Sequence, residues 1–580
     1  MGKNKKSLFI RVLLLMSILL LVSLFFFTAK QITQYNQVNK EIINFLRENR
    51  FEEAINLIDG SASLTINPER SRRIDDNNLS FFSILPVIKN EIELRKHLKD
   101  INDDLEKING GFLMMAMVQQ EENPLYYLEN IKKNLNYLDK YDISYLKDKE
   151  RYIENWLLFF GNEESKNYLV LFQEPAIPRP TGGLLGAYAF LSFNKGKIDL
   201  SGNNIFALED VFLEKIIPPD PLQPISDKWF FHDSNWFFDY PSSGQKILDF
   251  YSTTGKEPLL DGVIVVNPSV LENILEIIGP VNINDNGLII DQYNFYSFFQ
   301  NQIQEGAKPA PLRQERELFS VFLENLQKKA KKASPETFSQ IPDFLTDGFV
   351  KKDIQLYVTD DNLQYFFDSL DWTGKIGESK NDYLGVVFNL LRRDFSEDRR
   401  EKIIELKTEF AADGQIIDTL IISASSYSSE ERGQENYLKI YLPKGIIVKE
   451  VKNGYLKTAE DASQFYKKLG YREDEDLSLI KNIKIRNEKD GTEIYEEAGK
   501  TIIGTWAKLS LNPFKLVYRL PANWIDFSSW ELKVQKQSGQ DIKFSYELVV
   551  SDDVRIIPTL FPFNQLVPLD RDLIINFKRE

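Results

Sequence analysis

The sequence predicts a multidomain α+β protein that begins with a transmembrane helix, and three observations lead to this prediction. The chain has 580 residues, more than one ordinary hydrophobic core, and 43% of them are hydrophobic. Strand-like and helix-like segments alternate in its middle, whereas short strands follow one another towards its C-terminus. We therefore divide it into a cytoplasmic tail and anchor (1–30), a helical region (31–161), an α/β domain with a mixed sheet (162–398) and a β-sandwich (399–580).

The first 30 residues have the pattern of a membrane anchor. Residues 12–29 carry no charge, and Lys3, Lys5, Lys6 and Arg11 precede them. As a helix this segment spans roughly 27 Å, close to the hydrocarbon thickness of a bilayer, which is about 30 Å. The basic flank predicts a single-pass protein of the cell membrane with a cytoplasmic N-terminus and an extracytoplasmic remainder. A cleaved signal peptide is the alternative, but no small-residue cleavage site follows cleanly.

The helical region carries two apolar stripes. Five apolar residues are spaced as in a heptad over residues 94–108, and a second stripe occupies residues 125–138. Two heptads are too few to establish oligomerisation. We interpret the region either as a small bundle that buries its own stripes or as a stalk or partner-binding hairpin.

Local patterns predict both folded domains. The apolar run at 262–266 is typical of a strand covered on both faces, and Asn267 and Pro268 then begin a helix. After residue 399, short strands recur with turns between them, which is typical of a sandwich of the immunoglobulin kind. The other runs that we assign to the α/β domain are 168–172, 184–193, 197–200, 354–358 and 383–391.

Composition excludes several kinds of chemistry. The chain has no Cys and two His, which rules out thiolate catalysis, disulfides and His-rich metal centres. Its formal net charge is −15, which argues against general nucleic-acid binding because that needs a positive surface. Any catalysis would therefore rest mainly on Asp, Arg and a metal ion.

The first candidate site is a glycine-containing loop between two predicted strands. Arg179 precedes Thr181, Gly182 and Gly183 there. Glycines let main-chain amides approach a ligand, and an arginine binds phosphate or carboxylate, so we predict that these residues contact a ligand. The alternative is a tight connection, since the loop is neither a P-loop nor a dinucleotide fingerprint.

The second candidate site combines polar and aromatic residues. Asp233, Ser234, Asn235 and Trp236 form one run, and Asp239 follows it. The two aspartates suit a hard cation such as Mg²⁺, and the aromatic faces nearby suit a sugar or prenyl chain. We predict that Ser234, Asn235 and Trp236 contact the ligand. The alternative is a loop whose aromatic side chains are buried and whose Asp or Ser caps a turn.

Several segments resemble a bacterial family catalogued as domain of unknown function 4012. They include RPTGGLLGAY at 179–188, HDSNWFFDYPSSGQK at 232–246, DGVIVVNPSVLENILEIIGPV at 261–281 and GKTIIGTWAKLSLNPFKLVYRLP at 499–521. The resemblance extends from about residue 162 to the C-terminus and implies a membrane-anchored extracytoplasmic bacterial protein. The family usually has Val-Asp-Pro where this chain has Val266, Asn267 and Pro268, which indicates a helix cap at that position.

More distantly, the chain is similar to the LytR–CpsA–Psr enzymes, which transfer lipid-pyrophosphate-linked glycopolymers to the cell wall. This similarity implies that Arg179 binds the pyrophosphate and that Asp233 or Asp239 holds Mg²⁺, although the hallmark Arg-Asp pair of those enzymes is not clear. Two hypotheses follow. The chain is either a phosphotransferase that handles an anionic glycan or lipid-linked precursor, or a non-catalytic surface module that binds a glycan or a partner protein. An enzyme needs the three residues around one pocket.

Overall fold

A computed structural model gives the chain a mixed α+β fold. It describes residues 97, 100, 104, 112–119, 123–138, 144–283, 287–308, 318–339, 341–394, 396–411, 413–426, 431, 433–457, 462–523, 529–550, 556–558 and 561–579. The predicted anchor and the five apolar residues of the heptad stripe lie outside them. Within these ranges, no helix has the length and apolar character that a bilayer crossing requires.

Before the first sheet, the described part of the chain includes helices α1 (Phe112–Gln119), α2 (Tyr126–Leu138) and α3 (Ser144–Phe159), and residues 97, 100 and 104 are helical as well. On α3, the buried ring of Trp156 packs against Phe366, Phe367 and Trp372 of the α/β domain. The end of the predicted helical region therefore belongs to the core of that domain. The predicted stripe around α2 is buried at Leu125, Leu128, Ile131 and Leu135.

The α/β domain is built on a five-stranded mixed sheet, as predicted. Its strands, and a short pair beside them, are β1 (Lys166–Glu174), β2 (Leu184–Asn194), β3 (Lys197–Asn204), β4 (Gly262–Val266), β5 (Val281–Asn282), β6 (Ile289–Ile290) and β7 (Ile354–Val358). The order is β3-β2-β1-β4-β7. β1 and β4 run parallel, whereas the other neighbours are antiparallel. The carboxyl ends of β1 and β4 therefore meet at one edge of the sheet.

The helices of this domain pack around the sheet into one continuous core. β4 is buried along its whole length, and α6 begins at Pro268, both as predicted. In the described ranges these helices are α4 (Phe206–Glu209), α5 (Tyr240–Ser252), α6 (Pro268–Ile278), α7 (Phe295–Gly306), α8 (Leu318–Ala330), α9 (Pro335–Phe338), α10 (Ile341–Val350) and α11 (Asp361–Ser369).

The C-terminal part is a sandwich of two sheets. Its strands are β8 (Asp382–Asn389), β9 (Lys402–Phe410), β10 (Gln415–Ala424), β11 (Asn436–Leu442), β12 (Ile447–Lys452), β13 (Ile485–Asn487), β14 (Thr492–Glu497), β15 (Lys500–Ala507), β16 (Phe514–Asn523), β17 (Ser529–Gln535), β18 (Ile542–Val550), β19 (Ile556–Pro558), β20 (Val567–Pro568) and β21 (Leu573–Arg579). Helices α12 (Ala462–Lys468) and α13 (Glu475–Ile483) are inserted between β12 and β13. α12 confirms the short helix predicted at 463–470.

One sheet has the order β12-β16-β10-β9-β18-β20, and the other has the order β13-β14-β15-β11-β8-β17-β21-β19. Alternate side chains of both sheets meet in a shared apolar core. β8 runs parallel to β17, and β9 runs parallel to β18. The topology therefore departs from the antiparallel immunoglobulin kind that we predicted.

The position of β8 also differs from the prediction. We assigned residues 383–391 to the α/β domain, but β8 pairs with β11 and β17 in the eight-stranded sheet. Leu384 and Val386 enter the sandwich core, whereas Tyr383 and Val387 pack towards the α/β domain. A strand buried on both faces has the same apolar pattern in either sheet, so the pattern does not identify its neighbours.

Candidate functional site

A buried network of side-chain amides and hydroxyls lies at the carboxyl ends of β1 and β4. Nε2 of Gln173 donates to the main-chain oxygen of Thr181 at 3.1 Å and to Oδ1 of Asn267 at 3.3 Å. Nδ2 of Asn235 donates to Oγ1 of Thr181 at 2.7 Å and to the main-chain oxygen of Gly183 at 2.8 Å. The structure thus brings together three predicted ligand-binding residues, Thr181, Gly183 and Asn235, and they bind one another.

The glycine pair lets this loop approach β1 closely. Gly182 has a φ of 144°, a value that side chains rarely allow. A Cβ atom on Gly183 would collide with the main-chain oxygen of Glu174. From the sandwich, Nε2 of Gln540 donates to the main-chain oxygen of Gly182 at 3.4 Å. This geometry favours the tight connection that was the alternative interpretation of the glycines.

Arg179 is buried, and its guanidinium faces partners within the protein. The side chain is 2% exposed, and its Nε donates to Oδ1 of Asp233 at 2.6 Å. Nη1 donates to the main-chain oxygens of Pro178 at 3.0 Å and Leu390 at 2.7 Å. Arg179 and Asp233 therefore meet, as a shared site requires, but they neutralise each other away from solvent.

A histidine extends this ion pair. Nε2 of His232 lies 3.5 Å from Oδ2 of Asp233, and its Nδ1 lies 2.8 Å from Oε1 of Glu209. Burial opposes protonation of His232, but the carboxylates of Asp233 and Glu209 outweigh it and raise the pKa of His232. The result is a run of alternating basic and acidic side chains within the α/β domain, namely Arg179, Asp233, His232 and Glu209.

Asp239 lies at the start of α5, where it acts as the helix cap. Its Oδ2 accepts from Oγ of Ser242 at 2.7 Å and from the main-chain nitrogen of Ser242 at 3.3 Å, and its Oδ1 accepts from the main-chain nitrogen of Ile376 at 2.8 Å. Burial raises the pKa of Asp239. Because Asp233 is paired with Arg179, the two aspartates do not fit a shared Mg²⁺ site. Nor do the described residues contain a group of three His, Cys, Asp or Glu that could hold a metal ion.

Ser234 and Trp236 have different surroundings. Oγ of Ser234 is buried and has no hydrogen-bond partner in the described part of the chain. The ring of Trp236 stacks on Tyr437 of the sandwich, with centroids 6.4 Å apart, and Nζ of Lys439 lies 5.7 Å from its centroid. Trp236 also lines a pocket of about 60 Å³ between the domains. Its ring therefore contributes mainly to packing between them.

An open cleft of about 540 Å³ lies next to the carboxyl ends of β1 and β4. Pro175 and Asn267 line it on the side of the α/β domain, and Lys536 and Gln540 line it on the side of the sandwich. Ligands of open α/β sheets bind in crevices outside the carboxyl ends of parallel strands. Five basic and five acidic residues line the cleft, so it is close to neutral in a chain whose net charge is −15.

Two of the basic residues in the cleft are fully paired. Arg400 is 1% exposed and donates through Nε and Nη2 to the two oxygens of Asp398, each at 2.8 Å. Nζ of Lys402 lies 3.4 Å from the same carboxylate. Burial alone would raise the pKa of Asp398, but these two cations hold it well below its usual value. Arg400 and Lys402 therefore have a structural role in the wall of the cleft.

Asn267 begins α6, as predicted, but its side chain does not cap the helix. Nδ2 of Asn267 donates instead to Oδ1 of Asp353 at 2.8 Å and to Oγ of Ser538 at 3.0 Å. Oγ of Ser269 donates to Oδ2 of Asp353 at 3.0 Å. Ser538 belongs to the loop after β17. The side chain of Asn267 thus links the start of α6 to that loop, which lies next to the end of β4.

Lys536 is a buried cation without a carboxylate partner. Its side chain is 6% exposed, and its Nζ donates to the main-chain oxygen of Lys351 at 2.6 Å. Among the described residues, no carboxylate lies within 4.0 Å of this ammonium group, and Lys536 is one of the residues that line the cleft. Burial lowers the pKa of Lys536 more than the charge of Asp353 raises it. A desolvated ammonium of this kind is stabilised by an anion.

Glu174 is a second buried group beside the cleft. Its Oε1 accepts from the main-chain nitrogen of Ala176 at 3.0 Å and from the hydroxyl of Tyr296, whose ring lines the cleft. Its Oε2 is buried and has no hydrogen-bond partner in the described chain. Burial raises the pKa of Glu174 to about 7. An acidic residue at the end of a buried strand indicates a possible site, and sequence analysis missed this indication for Glu174. The sequence around Lys536 contains no comparable indication.

The fold and the cleft define an α/β domain that packs against a β-sandwich and has a crevice at the carboxyl edge of its sheet. Residues 163–303 match a family described as a protein of unknown function (DUF4012). The matched segment contains Arg179, Asp233 and Asp239 and one wall of the cleft, so it supports the resemblance to that family over these residues. No curated protein and no solved structure matches the chain.

Proposed function

We propose that this chain is a membrane-anchored extracytoplasmic protein of the bacterial envelope. We further propose that its cleft binds the anionic group of a glycan or of a lipid-pyrophosphate-linked glycopolymer. The observation that carries this proposal is the ammonium of Lys536, buried at the cleft wall without a carboxylate partner among the described residues. A phosphate or carboxylate would supply the missing counter-charge through a charge-assisted hydrogen bond.

Sequence features support the proposed location. Residues 12–29 are uncharged and follow four basic residues, which favours a cytoplasmic N-terminus and an extracytoplasmic remainder. The resemblance to a family of membrane-anchored envelope proteins points to the same location. An anchored protein in that position would meet lipid-linked precursors and wall glycans directly.

The geometry favours binding over phosphoryl transfer. A transferase of the kind considered needs Arg179, Asp233 and Asp239 around one ligand. Arg179 instead neutralises Asp233, and Asp239 caps α5. We therefore propose the non-catalytic alternative, with the cleft rather than the glycine loop as the place where the ligand binds.

The test compares Lys536→Met with Lys449→Met, which removes an exposed lysine outside the cleft. The full chain in lipid nanodiscs is titrated with a polyprenyl-pyrophosphate-linked glycan, and dissociation constants are measured. We expect Lys536→Met to weaken binding at least about tenfold, or roughly 1.4 kcal/mol. Its stability should be unchanged or higher, because methionine removes a buried charge. Equal affinities for the two variants would refute the proposed site.

A further inference from the structure

The charged residues of the cleft are only partly paired within the protein. Four of the basic residues that line it form ion pairs with carboxylates, and Lys536 does not: the four are Lys351, Arg399, Arg400 and Lys402. Among the acidic residues, Asp398 and Asp570 have cationic partners. In the described part of the chain, the other acidic residues of the lining have no ion-pair partner, namely Glu272, Asp353 and Asp541. The unpaired charges of the cleft are therefore one ammonium and three carboxylates.

Two of these carboxylates lie together on the wall formed by the first turns of α6. Glu272 follows Ser269 by three residues on one face of α6, and Oγ of Ser269 donates to Oδ2 of Asp353 at 3.0 Å. Glu272 and Asp353 are both half-buried. Burial raises the pKa of Glu272, and the charge of Asp353 raises it further. The two anions therefore repel each other, and a cation between them would relieve this repulsion.

Neutral groups alone bind these two carboxylates within the described chain. Oδ1 of Asp353 accepts from Nδ2 of Asn267 at 2.8 Å, and its Oδ2 accepts from Ser269 as described above. No described residue donates a hydrogen bond to the carboxylate of Glu272. A carboxylate can accept about four hydrogen bonds. Both groups therefore have acceptor positions left for a ligand in the cleft.

Lys536 approaches the same part of the cleft from the sandwich. Its Nζ donates to the main-chain oxygen of Lys351, two residues before Asp353, so the ammonium lies next to the carboxylate wall. The charge of Asp353 acts on both neighbours, because it raises the pKa of Lys536 as well as that of Glu272. A ligand with negative charges alone would be attracted by Lys536 and repelled by the two carboxylates. A ligand with charges of both signs avoids this repulsion.

We propose that the ligand of the cleft carries a protonated amine beside its phosphate or carboxylate, as a glycan with a free amino sugar does. The amine donates to Glu272 and Asp353, and the anionic group accepts from Lys536. Both contacts are charge-assisted hydrogen bonds, which are stronger than neutral ones. This inference rests on the proposed function, because it adds a second charge to the ligand that binds at Lys536.

Two probes that differ in one group test the amine. They are polyprenyl-pyrophosphate-linked glucosamine and its N-acetylated form, which keeps the pyrophosphate and loses the positive charge. Each probe is titrated against the full chain in lipid nanodiscs at neutral pH with EDTA present, and dissociation constants are measured. We expect the glucosamine probe to bind at least about tenfold more tightly than the N-acetylated probe.

A substitution on α6 tests the assigned carboxylate. Glu272→Gln keeps the size of the side chain and removes its charge, so we expect it to abolish most of the preference for the amine. It should leave the affinity for the N-acetylated probe unchanged or slightly higher. Glu276→Gln is the matched control, since Glu276 is exposed on the same helix and is not among the residues that line the cleft. The control should keep the full preference.

This inference and the proposed function fail in different ways. If Lys536→Met weakens both probes but the unsubstituted protein binds them equally, recognition of the amine is wrong and the anion site stands. If Lys536→Met weakens neither probe, the anion site is wrong and this inference falls with it. A preference for the amine that persists in Glu272→Gln would refute the assigned carboxylate. Tighter binding of the N-acetylated probe when Mg²⁺ replaces EDTA, lost in Glu272→Gln, would show that a metal ion takes the place of the amine and would overturn the inference.

Discussion

Arg179 carries a functional signal in the sequence and has a structural role in the fold. An arginine beside two glycines is typical of an anion site, and the sequence does not reveal that Asp233 lies within 2.6 Å of it. The side chains of the pair are 2% and 5% exposed, so both charges are largely removed from solvent. In such a pair each partner mainly offsets the desolvation of the other. Lys536 shows the reverse: its neighbours in the sequence indicate no site, but a buried lysine with no carboxylate within 4.0 Å among the described residues is unusual.

Removing one partner of the Arg179 pair should be strongly destabilising. We expect Arg179→Met to lower the free energy of unfolding by about 3–5 kcal/mol, because Asp233 would be left buried without its cation. Chemical denaturation measures this change. The control is Arg399→Met, whose guanidinium pairs with Glu397 but is 59% exposed, so we expect a loss of at most ~1 kcal/mol. Similar losses for both variants would contradict the assignment of Arg179 as a buried structural cation.

Among the secondary-structure elements, β8 and β10 bring two carboxyl groups together inside the sandwich. Asp382 begins β8 and Asp418 lies on β10, and both are fully buried. Oδ1 of Asp418 accepts from Oγ1 of Thr408 on β9 at 2.6 Å. Burial raises the pKa of both aspartates, and the charge of Asp418 raises that of Asp382 further. The two carboxyl groups therefore retain a proton at pH values at which exposed aspartates are ionised.

This pair makes the sandwich less stable as the pH rises. Both pKa values are higher in the folded than in the unfolded state, so the stabilisation is complete below the usual Asp pKa of ~4. It is lost as the pH rises through about 7, the value to which burial raises the pKa of Asp418. We expect Asp418→Asn to flatten the pH dependence of the unfolding free energy over this range, measured by urea denaturation. Asp413→Asn in the exposed hairpin is the control, and equal slopes for the two variants would contradict this mechanism.

For the whole molecule, the core of the α/β domain extends into the sandwich, where it includes Tyr437 and Trp506. Nε2 of Gln537 donates to the main-chain oxygens of Arg179 at 2.9 Å and of Phe388 at 3.0 Å. Oγ of Ser538 donates to the main-chain oxygen of Lys352 at 2.6 Å. The loop after β17 therefore completes the cleft wall of the α/β domain. The cleft exists because the two domains are packed together.

A fragment boundary at residue 399 should not give a folded sandwich. Residues 399–580 lack β8, which lies between β11 and β17, so two unpaired strand edges would open in the eight-stranded sheet. We expect this fragment to show no cooperative thermal transition by circular dichroism. The matched fragment 378–580 includes β8 and should show one. Equal transitions in the two fragments would contradict the central role of β8.

The sequence by itself determined the elements with local signals. The apolar run of β4, the Asn-Pro start of α6 and the short helix α12 were all predicted, because each depends on the residues next to it. It also determined the excluded chemistries, since these follow from the absence of Cys and the scarcity of His. Of the candidate site, sequence analysis identified the loop of Thr181 and Gly183 and the run containing Asn235. It did not show that they bind one another.

Only the tertiary structure decided which charges are paired, which sheet β8 joins and where the cleft lies. These properties depend on contacts between residues far apart in the chain, such as Gln537 with Arg179. The local periodicity of the sequence does not reveal such contacts. A buried strand has one apolar pattern whichever strands flank it, and a buried lysine has the same letter as an exposed one. Burial changes the energy of a charge by several kcal/mol. The physical reason is that burial is a property of the packed molecule, and it separates Arg179, which is paired, from Lys536, which is not.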